Sequence, residues 1–169
     1  YTLYFIFGLL YPRKNLIFVI ENFLDLVEKE EIDDLIFVLA GGHWDLTPKS
    51  IYEKIKKSNQ KVMHIGYVDD EDLSNLFSHS LCSIYLSLYE GFGLPVLESM
   101  QCGCPVIASN TTSIPEVGGD AAILIDPKDS KALKQSILKL YQNESLREEL
   151  KQKGLKRAEL FSWEKCANE

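Results

Sequence analysis

Two patterns of apolar residues alternate along this chain. Short runs with no polar interruption, such as Leu35–Ala40 (LIFVLA), end at glycines or charged clusters. Between them, apolar residues recur at helical spacing, as at Leu16, Ile17, Val19, Ile20, Phe23, Leu24 and Val27. A short unbroken run reads as a strand buried on both faces, and the three-to-four-residue recurrence reads as an amphipathic helix. On this reading strands are expected at 3–7, 35–40, 61–66, 82–88, 105–110 and 121–127. Helices are expected at 16–29, at 49–58 after Thr47 and Pro48 as cap and first turn, and at 69–80 behind an Asp69 cap. Others follow from Pro95 to about Gln101, in a short turn over 113–116, and at 130–141 and 145–161, the last two charged on one face and leucine-rich on the other. Strand and helix alternate throughout, which calls for a parallel sheet covered on both sides. The expected fold is therefore α/β: a doubly wound, Rossmann-like parallel sheet of about six strands, forming one domain over 1–169. Such sheets bind ligands outside the carboxyl ends of their strands, where the strand order reverses.

Composition narrows the class. A chain of 169 residues can bury a substantial core, and 46% hydrophobic with 25% charged residues is ordinary for a globular protein. Eighteen basic against 25 acidic residues leave a net charge of −7, which argues against a nucleic-acid partner and against a basic membrane-surface anchor. No apolar run approaches the roughly 20 residues of a membrane span. Of the four cysteines, only Cys102 and Cys104 are close, and neither a second pair nor a histidine cluster completes a zinc site. They read as small buried residues in a reducing compartment, so a cytoplasmic location and no metal are expected. Tyr1 already lies in a strand-like run, with neither a methionine nor the basic start of a signal peptide, so a piece of a longer protein is expected.

Three strand-to-helix junctions carry unusual chemistry. In GLLYPRKN, Gly8 ends the first strand, and Arg13 and Lys14 stand where the next helix begins. Cations at a helix start oppose its dipole, so their presence points to an anion that the free amides also attract. In EGFGLPVLE, Gly91 and Gly93 permit close backbone approach, and Pro95 suits the first helical position. In SNTTSIPEVGG, the hydroxyls of residues 109–113 either cap a helix or face a phosphate. Glu90 and Glu98 bracket the second junction. They fit a glycosidase-like acid pair, a ribose-gripping carboxylate, or, for Glu98, a charge near a helix start.

EGFGLPVLE followed by CGCPVIASNTTSIPEVGGDAAILIDP closely resembles the retaining GT-B glycosyltransferases of family 4, the group 1 glycosyl transferases. Glu90 and Glu98 match that family's pair of glutamates separated by seven residues, and PRKN, GYVDDEDL and RAELFSWEKCA match in order and spacing. The resemblance covers the C-terminal, donor-binding half of such enzymes. It implies that Lys14 contacts the donor diphosphate with Arg13 nearby, that Glu98 holds the ribose hydroxyls, and that Glu90 contacts the transferred sugar. Glu90 and Lys14 are thereby the implied catalytic residues. It also implies that amides of Gly91, Phe92, Gly93 and Leu94 line the sugar and phosphate pocket, and that Gly66, Tyr67 and Val68 receive the base. The donor would be a GDP-, UDP- or dTDP-sugar, with GDP-mannose suggested by the motif block, and no metal or other cofactor is implied. Transfer would proceed with retention, the leaving diphosphate stabilised by cations and helix amides.

Many members carry an arginine directly after the first glycine; Leu9 stands there in this chain, which leaves Lys14 with more of the phosphate charge. His64 and His79 read as structural, and His43, after Gly41-Gly42, is the least bland histidine. A dinucleotide oxidoreductase is disfavoured: no G-x-G-x-x-G follows the first strand, and Gly41-Gly42 stand where a ribose-binding acid would. The family's acceptor site belongs to an N-terminal half that this chain lacks. Through that half alone would a membrane be met, at its inner face. The alternative is a separate nucleotide-sugar-binding subunit, inactive without an acceptor-binding partner chain.

Overall fold

A computed structural model describes residues 2–7, 11–42 and 49–162, the first segment by its backbone alone. Six parallel strands form one sheet: β1 (Thr2–Phe7), β2 (Leu35–Ala40), β3 (Val62–Gly66), β4 (Cys82–Tyr85), β5 (Val106–Ser109) and β6 (Ala122–Ile125). Their order is β3-β2-β1-β4-β5-β6, so the sheet grows one way from β1 and then, after β3, restarts on β1's other side. The switch point therefore lies between β1 and β4, which pair through Tyr4 with Cys82 and Phe5 with Ser83. All six expected strands and the doubly wound α/β plan are present. Gly8, Leu9, His43, Thr47, Pro48 and residues 163–167 of the closing motif lie outside the described residues.

The helices are α1 (Leu16–Lys29), α2 (Lys49–Lys57), α3 (Asp70–Ser78), α4 (Leu94–Gln101), α5 (Ile114–Gly118), α6 (Ser130–Gln142) and α7 (Glu144–Ala158). Their caps follow from the sequence. Asp69, Asp129 and Asn143 accept side-chain bonds from the amides of Asp72, Ala132 and Leu146, each at 2.9 Å. The Asn143 cap starts α7 at Glu144, one residue before expectation, and the helix stops at Ala158 rather than 161. Its buried residues are Leu150, Gly154 and Ala158, so its inner face is small rather than leucine-rich. That lets α7 lie close on α4: a Cβ at Gly154 would come 3.3 Å from Met100.

Both sheet faces are covered. On one, Val19, Ile20 and Phe23 of α1 and Leu133, Ile137 and Leu140 of α6 pack with Leu35, Phe37, Leu39 and Ile84. On the other, α3 packs Leu73 and Phe77 with Val38 and Ala40, and α4, α5 and Ala158 of α7 pack with Tyr85, Val106 and Ala108. Cys82 and Cys104 are buried and Cys102 is partly so, all as free thiols. Burial pushes the Cys82 and Cys104 thiols well above their ordinary range.

Three local expectations change, each at the ligand edge. The fourth strand pairs only to Tyr85, because residues 86–88 leave the ladder and the Leu88 amide donates instead to the Arg13 carbonyl at 2.8 Å. Arg13 and Lys14 lie in a separate 3-10 turn, Pro12–Lys14, closed by Asn15 at φ 58°, and not in the first turn of α1. They thus sit at the carboxyl end of their turn, where the dipole favours cations, so the unfavourable charge placement read from the sequence does not arise. Finally, α4 begins at Leu94 behind Gly93, which puts Pro95 at its second position.

Candidate functional site

The switch point gathers two loops, the one after β1 and the one after β4. The Leu88–Arg13 backbone bond ties them together, so the side chains they carry are held in fixed relation. Lys14 is 9% exposed, and its ammonium lies 2.8 Å from Glu90 Oε1. It also donates to the Tyr85 hydroxyl and lies 4.4 Å from the centre of that ring. Arg13 Nε is 3.8 Å from the same Glu90 oxygen, with the guanidinium 5.2 Å from the Tyr11 ring and half in solvent. A buried ammonium is costly unless paired, and a carboxylate, a phenol oxygen and a π face supply the pairing here.

The charges act on one another as that geometry requires. Burial lowers the Lys14 pKa, and the Glu90 bond and charge only partly counter it. Burial alone would raise Glu90, but the Lys14 hydrogen bond, helped by Ser87, the Lys14 charge and Tyr85, holds it below its ordinary value. Burial and the Glu90 charge push the Tyr85 phenol up, so it stays a neutral hydroxyl.

Glu98 lies one turn further along, on α4. That helix is pinned to β4 by a buried bond of 3.0 Å between the hydroxyls of Ser99 and Ser83. Its Oε2 is buried and has no hydrogen-bond partner. Burial, then the Asp70 charge from the start of α3, raise the Glu98 pKa, and Lys14 opposes them. Glu98 borders two clefts of about 400 and 240 Å3, the first with Phe92 and Leu94, the second with Asp70, Leu73 and Cys102. A buried carboxylate oxygen with no hydrogen-bond partner is uncommon in a fold and marks Glu98 as a functional candidate.

The remaining expected residues distribute as follows. Gly91 has open space where a Cβ would stand, while Gly93 caps α4 at φ 106° with Ile114 Cδ1 only 2.6 Å from a hypothetical Cβ. Phe92 is 41% exposed and meets the Phe161 ring edge-on at 6.0 Å, and Leu94 is 45% exposed. Gly66 ends β3 at φ 76°, its carbonyl held by the Gly41 amide at 2.7 Å. Tyr67 is 82% exposed and Val68 half-buried, next to Asp69 and Asp70 at the start of α3. Arg13, Lys14 and Glu90 are thus in direct contact and Glu98 is close enough for its charge to act on Lys14, whereas Gly66 to Val68 lie at the end of β3, two strands away from β1. His64 bonds the Gly41 carbonyl at 2.9 Å and His79 bonds the Asn75 carbonyl at 2.8 Å, which gives both ordinary structural partners.

Sequence reading missed Tyr85, because a tyrosine inside an apolar run looks like core. It also missed what the hydroxyls after β5 do. Ser113 makes no capping bond to α5. It donates instead to the Glu90 and Phe92 carbonyls, both at 3.0 Å, and Thr112 Oγ1 accepts from the Glu90 amide at 3.3 Å.

Comparison with known proteins bears on the family and the fold. The model of the family "Glycosyl transferases group 1" matches residues 2–157. O-antigen chain mannosyltransferase B of Escherichia coli is 38% identical over 172 residues, covering 100% of this chain and 44% of its own length. MMP alpha-(1->4)-mannosyltransferase of Mycolicibacterium hassiacum is 36% identical over 104 residues, covering 59% of this chain and 25% of its own. Among solved structures, TarM superposes with a TM-score of 0.85 at 22% identity, over 99% of this chain and 34% of TarM. Sucrose-phosphate synthase from Thermosynechococcus elongatus gives 0.81 at 26% identity, over 96% and 42%. The chain spans less than half the length of each of these relatives. Its fold is that of one half of a GT-B enzyme, and the chain belongs to the group 1 glycosyltransferases.

Proposed function

We propose that this chain is the donor-binding half of a retaining hexosyltransferase that uses a nucleotide-sugar, with GDP-mannose the favoured donor. The observation that carries the reading is the buried Lys14 ammonium at the β1–β4 switch point, held by Glu90 and Tyr85 and bordered by Glu98 with its unpartnered oxygen. An anion entering there meets a desolvated cation, and a ribose hydroxyl in either cleft that Glu98 borders has a carboxylate acceptor beside it. Lys14, with Arg13 nearby, takes the diphosphate and neutralises it as it leaves. Glu90 receives hydroxyls of the transferred sugar, Glu98 the ribose, the amides of 91–94 the sugar and β-phosphate, and the turn 66–68 the base. This is electrostatic catalysis, in which charge develops on the leaving diphosphate where the cation already stands. The mannosyl assignment draws on the two mannosyltransferase relatives.

A thermal-shift panel tests the reading: GDP-mannose, UDP-glucose, dTDP-rhamnose and ADP-glucose, each beside its nucleoside diphosphate. One nucleotide should stand out, since stabilisation follows ligand concentration over dissociation constant and reaches about 2.7 kcal/mol at a hundredfold excess. Glu98→Ala should lose most of that shift. An unchanged shift would refute the ribose role, and a flat panel would refute the donor site.

A further inference from the structure

The loop that carries Glu90 is held from behind by the β5–α5 junction. Glu90 through Phe92 has left the β4 ladder, and its backbone groups are met by side chains. The Glu90 amide donates to Thr112 Oγ1 at 3.3 Å, and the Ser113 hydroxyl is 3.0 Å from both the Glu90 and Phe92 carbonyls. Ser113 stands at the start of α5, where a serine ordinarily caps the helix, yet its hydroxyl makes no such bond. Thr112 is at φ 56°, an unfavourable region for a β-branched residue, and that conformation accompanies the placement of its Oγ1 on the Glu90 amide. The helix behind is itself anchored, since Arg157 donates to the Val117 and Glu116 carbonyls at 2.5 and 2.6 Å.

We propose that Ser113 and Thr112 are positioning residues: their hydroxyls fix the Glu90–Phe92 backbone so that the Glu90 carboxylate and the adjoining amides face the sugar and diphosphate of the donor. This deepens the donor-site reading and rests on it. The bonds run from one strand end to the next across the site, and they hold the very residues whose direction sets the pocket. A loop preset in this way loses less entropy when the ligand arrives. The nucleoside end is handled by other elements, Glu98 on α4 and the turn 66–68 after β3. A defect at Ser113 should therefore be felt by the sugar-diphosphate end and not by the nucleoside.

The experiment compares Ser113→Ala, Ser113→Thr and Thr112→Val with the parent in the intact protein that carries this chain. Titration calorimetry uses whichever of the four panel sugar-nucleotides the parent binds best, with the matching nucleoside monophosphate alongside. Ser113→Ala should lose about tenfold in nucleotide-sugar affinity, the scale of one lost hydrogen bond, while monophosphate affinity stays within about twofold. Ser113→Thr keeps the hydroxyl and should restore the loss. Thr112→Val keeps the shape, removes the acceptor and should give a smaller loss in the same direction. Equal losses for both ligands, or none for either, would overturn the positioning role while leaving the donor site standing. Should Ser113→Ala not fold, Thr112→Val decides by the same two affinities. A parent that binds no member of the panel overturns the donor-site reading, and this inference with it.

Discussion

Glu98 pays for its readiness. Its carboxylate is desolvated, faces Asp70, and has an oxygen with no partner, so the folded state raises its pKa above that of the unfolded chain. A group whose pKa rises on folding binds its proton more tightly in the native state. Its contribution to stability is therefore full below the unfolded value of about 4.5 and is lost as pH rises through the higher native one. Replacing it by glutamine removes the charge and keeps the size. Without ligand, Glu98→Gln should match the parent near pH 4 and melt higher than it near pH 7, by roughly 2 °C, while losing most of the nucleotide-induced shift. Melting curves at the two pH values check this, and a variant melting lower at neutral pH would show that Glu98 serves the fold. Glu90 behaves oppositely. Its pair with Lys14 holds its pKa down despite burial, so its contribution is present at neutral pH and lost on acidification. Two glutamates on one short motif thus carry opposite electrostatic roles, set by which of them the buried lysine reaches.

At the level of elements, the turn from β4 into α4 separates its two glycines by function. Gly93 sits at φ 106° with Ile114 Cδ1 2.6 Å from where a Cβ would stand. Ile114 is fully buried at the start of α5, so it has little room to give. Gly93→Ala should therefore cost about 2–3 kcal/mol, from backbone strain and the clash together, and lower the melting temperature by roughly 4–8 °C. Gly91 has open space around it, so Gly91→Ala should melt within about 1 °C of the parent, and on the proposed donor reading, in which the Gly91 amide lines the sugar pocket, it should weaken nucleotide-sugar binding. Comparing the two melting temperatures checks the division. Much of this was legible beforehand. Unbroken apolar runs and helical spacing gave all six strands and the main helices, because a parallel sheet buried on both faces leaves that signature. The Gly-Phe-Gly turn between two glutamates marked the candidate site. What stayed hidden depends on long-range contact. The separate turn holding Arg13 and Lys14 is fixed by the Leu88 bond across the switch point, and Tyr85 becomes a site residue only when Lys14 folds over it. Ser113 reads as either a helix cap or a phosphate contact, because nothing local to it names its partners 21 and 23 residues away.

For the whole molecule, the two faces of the sheet differ from its carboxyl edge. Each face is closed by helices over a dense core, with Val19, Ile20, Phe23 and Leu35 on one side and Val96, Met100 and Val106 on the other fully buried. A unit with its own core on both faces is expected to fold without a second domain. Among the described residues the carboxyl edge is exposed: Tyr67, Leu88, Tyr89, Phe92 and Leu94 all stand more than a third exposed. Sugar transfer needs an acceptor hydroxyl brought against the donor and water kept away, and one open wall does neither. The chain spans 44% of the length of its Escherichia coli relative, so in that relative more than half the polypeptide lies outside the matched portion. The purified 169-residue chain should then unfold cooperatively in a single urea transition and bind its nucleotide-sugar in a one-to-one ratio. It should transfer no sugar to added glycan acceptors, whereas a longer polypeptide with an acceptor-binding half should do so from the same donor. Binding without turnover in the short chain, with turnover in the longer one, is the expected pair of results. Sustained transfer by the short chain alone would show that the open edge of the sheet suffices to build the whole reaction centre, and would overturn the division of labour proposed here.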